Sequence, residues 1–282
     1  MTSLVAVDIG NSSIKLGWFP EGESRTELPP ARVLTLTVGE LESPSWNAFC
    51  AMIDSQTHWV IASVNQQACQ RLTAAVVAIC PIATVTVLRN SMLPIDTDIE
   101  AVDLVGTDRL LVALAIRFLE PTACPAIVID SGTAVTVDVV NRQGAFAGGG
   151  IMPGSALIAR ALNDGTAQLP QIMLDKDNAP EPIGENTQDA IAAGIYWGLV
   201  GSINELVKQQ FLLLGESTPV FISGGDSWIE KHLEFECKSV ANLCLLGIAA
   251  AVDAGLQLSL IHISEPTRPE RIAYGGVCVE KK

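Results

Sequence analysis

The sequence contains the same short pattern twice, and this duplication constrains the fold more than any other feature. The apolar run Leu4–Val7 leads into the turn-like segment Asp8-Ile9-Gly10-Asn11-Ser12. A second run, Ala126–Ile129, leads into Asp130-Ser131-Gly132-Thr133-Ala134, and the two aspartates are 122 positions apart. Asp and Gly are common in ordinary hairpin turns. Two copies, each followed by another strand-like run, nevertheless predict two similar domains that face each other.

Runs rich in Val, Ile and Thr alternate with helical patterns, which predicts an α/β fold with mixed β-sheets. The predicted strands are Leu4–Val7, Ile14–Phe19, Val33–Thr37, Trp59–Ser63, Thr84–Leu88, Ala126–Ile129, Ala134–Val139 and Val220–Ser223. The predicted helices are Glu40–Asp54, Gln66–Ile79, Thr107–Leu119, Ser155–Ala161, Thr187–Leu214 and Asn242–Ala254.

Composition argues against several classes of partner. The chain has 31 acidic and 17 basic residues, for a formal net charge of −14. This excess opposes general binding to nucleic acid or to anionic membranes. The seven cysteines are scattered and odd in number, which predicts a cytoplasmic protein without a disulfide framework. We also expect no signal peptide and no membrane span, since the N-terminus lacks a basic leader and Asp253 interrupts the longest apolar stretch.

Both repeated turns have the chemistry of a phosphate site. A glycine lets backbone N–H groups approach a polyanion closely, and small hydroxyl side chains add donors. The neighbouring aspartate would hold a cation that bridges to the phosphates. Lys15 either adds a compensating charge or is a solvated strand residue.

Further clusters lie between and after the two turns. Gly106-Thr107-Asp108-Arg109 precedes an apolar helix; Asp108 there is either a favourable helix cap or a general base beside an anion-binding guanidinium. The glycine-rich stretch Gly144–Gly154 predicts, equally, a close backbone approach or a flexible loop. Ser223–Asp226 follows a strand at a position where α/β proteins seat a nucleotide base or ribose. Glycines at positions 194, 198 and 201 predict a close helix–helix contact, either in the core or at a dimer interface, and we favour the core.

Four of these segments, in this order, resemble those of the type III pantothenate kinases. They are D-x-G-N-S at Asp8, G-T-D-R at Gly106, D-S-G-T at Asp130 and G-G-G-I-M-P-G at Gly148, and the similarity extends from about Leu4 to about Gly255. The resemblance implies two ribonuclease H-like (actin-like ATPase) domains, at 1–120 and 121–258, with an ATP cleft between them. It further implies a homodimer that phosphorylates pantothenate to 4′-phosphopantothenate, the first step towards coenzyme A. Mg²⁺ with ATP and a monovalent cation, K⁺ or NH₄⁺, are the implied cofactors.

The resemblance also implies a role for particular residues. Asp108 would accept the proton of the attacked hydroxyl, and Asp130 would bind the monovalent cation. The implied ATP contacts are Asp8, Ile9, Gly10, Asn11, Ser12, Ser13, Ile14, Lys15 and Thr133. The implied pantothenate contacts are Gly106, Thr107, Asp108, Arg109 and, near the dimer interface, Thr187.

The chain departs from the family at two places. Many members carry a pantothenate-contacting tyrosine shortly before G-x-D-R, and Pro94–Ile99 contains none. Residues 259–282 match nothing in the family and resemble a translated sequencing-adapter peptide, so we interpret them as a non-native tail.

Two other functions stay open. One is an accessory regulator of transcription from the same family, without catalysis. The intact residues Asp108, Arg109 and Asp130 argue against that alternative. The other is a kinase of the same superfamily that acts on a sugar or acetate, against which the G-x-D-R and G-G-x-I-x-P-G segments argue.

Overall fold

The computed structural model describes residues 2–22, 25, 29–37 and 39–256, apart from the side chain of Ser227. The predicted tail, 259–282, lies outside these residues. The strands are β1 (Leu4–Ile9), β2 (Ile14–Phe19), β3 (Arg32–Leu36), β4 (His58–Ser63), β5 (Thr84–Val87), β6 (Ala126–Ser131), β7 (Ala134–Val140), β8 (Phe146–Pro153), β9 (Val220–Gly224) and β10 (Lys238–Ser239). The helices are α1 (Pro44–Cys50), α2 (Gln66–Ile79), α3 (Thr107–Leu119), α4 (Ser155–Gly165), α5 (Thr187–Leu214) and α6 (Leu243–Asp253).

The strands form two five-stranded sheets that have the same topology. The first sheet has the order β3-β2-β1-β4-β5, and the second has the matching order β8-β7-β6-β9-β10. In each sheet the first three strands are antiparallel, whereas the last two join in parallel. The predicted α/β fold with two mixed, duplicated sheets is therefore confirmed.

The central strands β1 and β6 are buried on both faces, as strands covered by helices on both sides usually are. Their inner faces share one core with helices α3 and α6. Their outer faces pack separately, β1 against α1 and α2 and β6 against α5. Asp8 and Asp130 occupy matching positions near the carboxyl ends of the two strands, where open α/β sheets bind their ligands.

Helix α6 comes from the end of the described chain but packs against α3 and β1. The two helices approach closely at Gly247, where an added Cβ would lie 2.0 Å from the carbonyl oxygen of Leu111. The shared core therefore combines segments from both halves of the chain. The predicted domain limits, 1–120 and 121–258, stay a prediction.

Helix α5 has 28 residues and, within the described residues, is the one helix long and apolar enough to cross a membrane. Its Tyr196, Leu199, Val200, Ile203 and Val207 are buried in the core of the second sheet. The core helix of a folded domain meets the same criteria of length and hydropathy, and the packing of α5 accounts for its composition.

The structure corrects some of the predicted elements. The predicted helix at Glu40–Asp54 is shorter and begins at Pro44, because Ser43 caps it by accepting a hydrogen bond from the Trp46 N–H and proline favours the first turn of a helix. Strand β8 was not predicted because glycines have low strand propensity. The two-residue strand β10 is too short to leave a pattern.

Candidate active site

Each of the two repeated turns is closed by a backbone hydrogen bond from its glycine, although the second turn is one residue shorter than the first. In the first, the N–H of Gly10 donates to the carbonyl of Ser13 over 3.0 Å. In the second, the N–H of Gly132 donates to the carbonyl of Ala134, also over 3.0 Å. Both hairpin tips therefore present a glycine directly after the strand that carries the aspartate.

The two tips meet. The Thr133 hydroxyl donates to the Ser12 hydroxyl over 3.0 Å, although the residues are 121 positions apart. Asn11 is exposed beside them, whereas the side chains of Ile9 and Ile14 are buried in the core. Only the backbone of these two isoleucines can therefore face a ligand. The prediction that the two copies face each other is confirmed.

Three carboxylates gather at this junction. Burial, together with the charges of Asp108 and Asp130 and against an opposing effect of Lys15, raises the pKa of Asp8 from 3.8 to about 6. Burial also raises the pKa of Asp130, while Lys15 lowers it. Asp8 and Lys15 are direct partners across the β1–β2 hairpin. One lysine thus faces several acids, so a bound cation would relieve their mutual repulsion.

Asp108 and Arg109 lie in the first turn of α3. Gly106 caps this helix, and a Cβ there would lie 2.2 Å from Oδ1 of Asp108. That oxygen accepts a hydrogen bond from the Arg109 N–H over 3.0 Å. A side chain at position 106 would therefore displace the Asp108 carboxylate from this position.

Asn90 organises the segment before α3, although no motif in the sequence points to it. Its Nδ2 donates to the carbonyls of Val102 and Val105 over 2.8 Å. Its Oδ1 accepts from the Thr107 hydroxyl over 2.7 Å. The donor capacity of Thr107 is thus used inside the protein, and its hydroxyl retains only acceptor capacity.

Asp138 on β7 is a second residue that the sequence analysis missed. It is 2% exposed and forms an ion pair with Arg109, from Nε to Oδ2 over 3.0 Å and from Nη2 to Oδ1. Its signal in the sequence is an acid in the middle of the apolar strand Ala134–Val140. Arg109 therefore connects α3 to the second sheet.

The glycine-rich stretch Gly144–Gly154 makes close backbone approaches and forms β8. A Cβ at Gly154 would lie 2.1 Å from the carbonyl oxygen of Gly132, at the second hairpin tip. Of the two interpretations, the close approach is therefore correct and the flexible loop is wrong. Helix α4 begins at Ser155, as predicted.

Asp226, at the end of the Ser223–Asp226 segment, is buried and supports the second tip. Its carboxylate accepts from the Ser155 hydroxyl over 3.0 Å and pairs with Lys176. Its N–H donates to the carbonyl of Ser131 over 3.0 Å. The carboxylate is thus occupied by protein partners, and a direct nucleotide contact would fall to the backbone of Gly224 and Gly225.

Thr187 is exposed at the start of α5, which Asn186 caps by accepting from the Asp189 N–H. It lines an apolar cavity of about 640 Å³ with Met152, Pro153 and residues of α4 and α5. The residues from Gly106 to Arg109 are not among those that line this cavity. The cavity that Thr187 lines is therefore separate from the segment that carries Asp108.

The glycines of α5 do not contact another helix of the described chain. Gly194, Gly198 and Gly201 are exposed, and a Cβ at any of them would meet no atom within 4 Å. The prediction that they mediate a contact in the core is wrong. Their exposure leaves a face of α5 that a second molecule can approach.

Two matching sheets whose acidic, glycine-containing hairpin tips meet define a protein of the actin-like ATPase fold. Two solved structures support the fold. A protein from Campylobacter jejuni described as a proposed Baf family transcriptional activator has a TM-score of 0.56 and 16% identity, covering 89% of this chain and 98% of that one. A proposed 2-dehydro-3-deoxygalactonokinase from Sinorhizobium meliloti has a TM-score of 0.53 and 14% identity, with the same two coverages.

Sequence comparison identifies the family to which the chain belongs. A profile of the type III pantothenate kinases matches residues 4–209. The type III pantothenate kinase of Chlorobaculum parvum is 30% identical over 261 residues, 90% of this chain and 94% of that protein. The enzyme of Dehalococcoides mccartyi strain 195 is 42% identical over 121 residues, and this match spans 43% of the chain and 45% of the relative. The chain belongs to the type III pantothenate kinase family.

Proposed function

We propose that this protein transfers the γ-phosphoryl group of ATP to the hydroxyl of pantothenate and forms 4′-phosphopantothenate, the first step of coenzyme A synthesis. The observation that carries the proposal is the convergence of the two hairpin tips with the acidic first turn of α3, in a chain of this family. The six cysteines in the described residues are free thiols, which supports a cytoplasmic location.

The ATP phosphates would lie against the first hairpin tip, from Asp8 to Lys15, with Thr133 opposite. Backbone N–H groups at the glycine and the hydroxyls of Ser12 and Ser13 supply neutral donors. Lys15 supplies a positive charge close to Asp8. The acidic chain can therefore hold a polyanion through a few local groups.

The donor set fits a hydrated divalent ion. Asp8, Asp108 and Asp130 influence one another electrostatically, but in the described residues no three His, Cys, Asp or Glu side chains are close enough to hold one metal ion together. Mg²⁺ typically binds one or two carboxylates and completes its shell with water and substrate phosphates. Asp8 would fill that role, and Mg²⁺ would neutralise phosphate charge when bound. Asp130, whose pKa is raised by burial, would bind the monovalent cation, K⁺ or NH₄⁺.

Asp108 would accept the proton of the pantothenate hydroxyl. Its Oδ1 is held by the Arg109 N–H, which leaves Oδ2 for the substrate. Phosphoryl transfer has a loose transition state, so positioning and charge neutralisation carry most of the rate and the base takes the proton late. Gly106, Thr107 and Arg109 would complete the pantothenate site next to Asp108. Thr187 stays a predicted pantothenate contact, because it lines the separate cavity of α4 and α5.

A homodimer accounts for the open face of α5. This face combines the exposed glycines with the apolar cavity, and Met173 and Ile183 near it are 96% and 81% exposed. A second copy of the chain would cover these groups.

Analytical sedimentation tests the dimer. We expect the wild type to sediment as a dimer and Gly198→Arg as a monomer. Glu42→Arg, which lies in the other half of the chain, is the control. A monomeric wild type would contradict the dimer.

The direct test is turnover of ATP with a panel of acceptors in the presence of Mg²⁺ and K⁺. Pantothenate is expected to be phosphorylated, whereas glucose and acetate are not. Preferred turnover of a sugar or acetate would identify another kinase of the superfamily. ATP binding without turnover of any acceptor would favour the regulatory alternative.

A further inference from the structure

Arg109 is fixed by two side chains, those of Asp138 and Phe146, and by its own helix. Asp138 accepts two hydrogen bonds from its guanidinium, one of them over 3.0 Å. The ring of Phe146 lies beneath it, with its centroid 5.4 Å from Cζ. Helix α3 fixes the backbone. Bidentate pairing and stacking together define the plane of the guanidinium.

The surrounding residues leave space for this arrangement. A Cβ at Gly149 would lie 2.5 Å from Oδ1 of Asp138 and 2.2 Å from the carbonyl oxygen of Val137. Glycine at position 149 thus leaves room for the Asp138 carboxylate next to β8. Phe146 is itself held by the segment before α3, since its N–H and carbonyl bond the backbone of Asp96 and Asp98 over 2.9 and 2.8 Å.

The ion pair leaves part of the guanidinium free. Arginine has five N–H donors, and Asp138 accepts from two of them, so three remain. The side chain of Asp138 is 2% exposed and that of Arg109 is 14% exposed. The carboxylate is thus closed off from solvent, while the Arg109 side chain keeps some exposure.

We propose that Asp138 is a positioning residue, which acts through Arg109 by holding its three free donors toward an anionic group of the substrates. This role rests on the function proposed above. The anionic group is the carboxylate of pantothenate or the phosphoryl group in transfer. Asp138 itself touches neither, and Gly149 contributes by leaving room for it.

A double-mutant cycle of Asp138→Asn and Arg109→Gln tests the role, with kcat and KM measured for wild type, both single variants and the double variant. We expect Asp138→Asn to lower kcat/KM by about 10- to 100-fold, the scale of a small misplacement of a reacting group. In the Arg109→Gln background, Asp138→Asn should change kcat/KM by less than about twofold, because the group that it positions is already gone. If the two substitutions instead lower kcat/KM by independent factors that multiply in the double variant, the proposal is overturned.

A matched control separates positioning from stability. Asp253 forms the other largely buried ion pair of the described residues, with Arg25 over 3.0 Å. Asp253→Asn should lower the melting temperature, but its kcat/KM should equal that of the wild type. An equal loss of kcat/KM in Asp253→Asn would show that Asp138→Asn acts through the fold and would overturn the proposal. A wild-type chain that leaves pantothenate unphosphorylated would instead overturn the proposed function.

Discussion

Replacing Asp8 by asparagine should stabilise the ligand-free protein at neutral pH. Burial, with the nearby charges of Asp108 and Asp130, raises the pKa of Asp8 from 3.8 to about 6. The folded state therefore binds this proton more tightly than the unfolded state. Above pH 6 both states have lost the proton, and the folded state bears the full cost of the buried charge. A shift of about 2 units corresponds to about 3 kcal/mol.

Urea unfolding between pH 4 and pH 8 measures this cost. At pH 8, Asp8→Asn should exceed the wild type by up to about 3 kcal/mol in free energy of unfolding. The difference should decrease as the pH falls through 6 and be below about 1 kcal/mol near pH 4, where Asp8 is protonated in the folded state. Glu42→Gln removes an exposed carboxylate from the same half of the chain and should change stability by less than about 0.5 kcal/mol.

Two results would refute the reasoning. One is an Asp8→Asn variant no more stable than the wild type at pH 8. The other is a stability difference that grows toward acid pH, which would mean that Asp8 makes a favourable ionised contact. The same variant should lose most of its kinase activity, since natural active sites commonly give up stability for function.

Three further predictions concern the base, the cation and the core. Asp108→Asn should abolish most pantothenate phosphorylation while calorimetry still detects ATP binding; near-normal turnover would reject its role as the base. Asp130→Ala should weaken ATP use and its activation by KCl, and unchanged activation by K⁺ would argue against Asp130 as the cation ligand. Gly247→Ala should lower the free energy of unfolding by about 1–3 kcal/mol or more, because its Cβ would lie 2.0 Å from the Leu111 carbonyl oxygen. Gly165→Ala, which points into open space, is the control, and equal stability of the two variants would contradict the close contact of α3 with α6.

The sequence predicts those features that are local in the chain. The turns at Asp8 and Asp130 carry their whole pattern within five residues, and the structure confirms their duplication. Helix α5 is predicted to the residue, because Asn186 supplies a cap at one end and Gly215 ends the helix at the other. The glycines of α5 recur with helical spacing. That spacing places them on one face of the helix, but it is the same whether this face packs in the core or lies in solvent.

The missed features depend on partners that are distant in the chain. Asn90 acts on Thr107, 17 residues away, and Asp138 acts on Arg109, 29 residues away. Strand β8 pairs with β7, and Gly149 leaves room there for Asp138, whereas the composition of β8 favours a loop. Such contacts are set by strand register and helix docking, which no short motif records.

The position of α6 has a consequence for synthesis on the ribosome. β1 is among the first segments to emerge, yet its inner face is covered by a helix that is made only near residue 243. Until then the nascent chain keeps an apolar surface open, and its first sheet has no complete core. We therefore expect fragments that end before α6 to aggregate or to recruit chaperones, and we expect the two halves to fold as one cooperative unit.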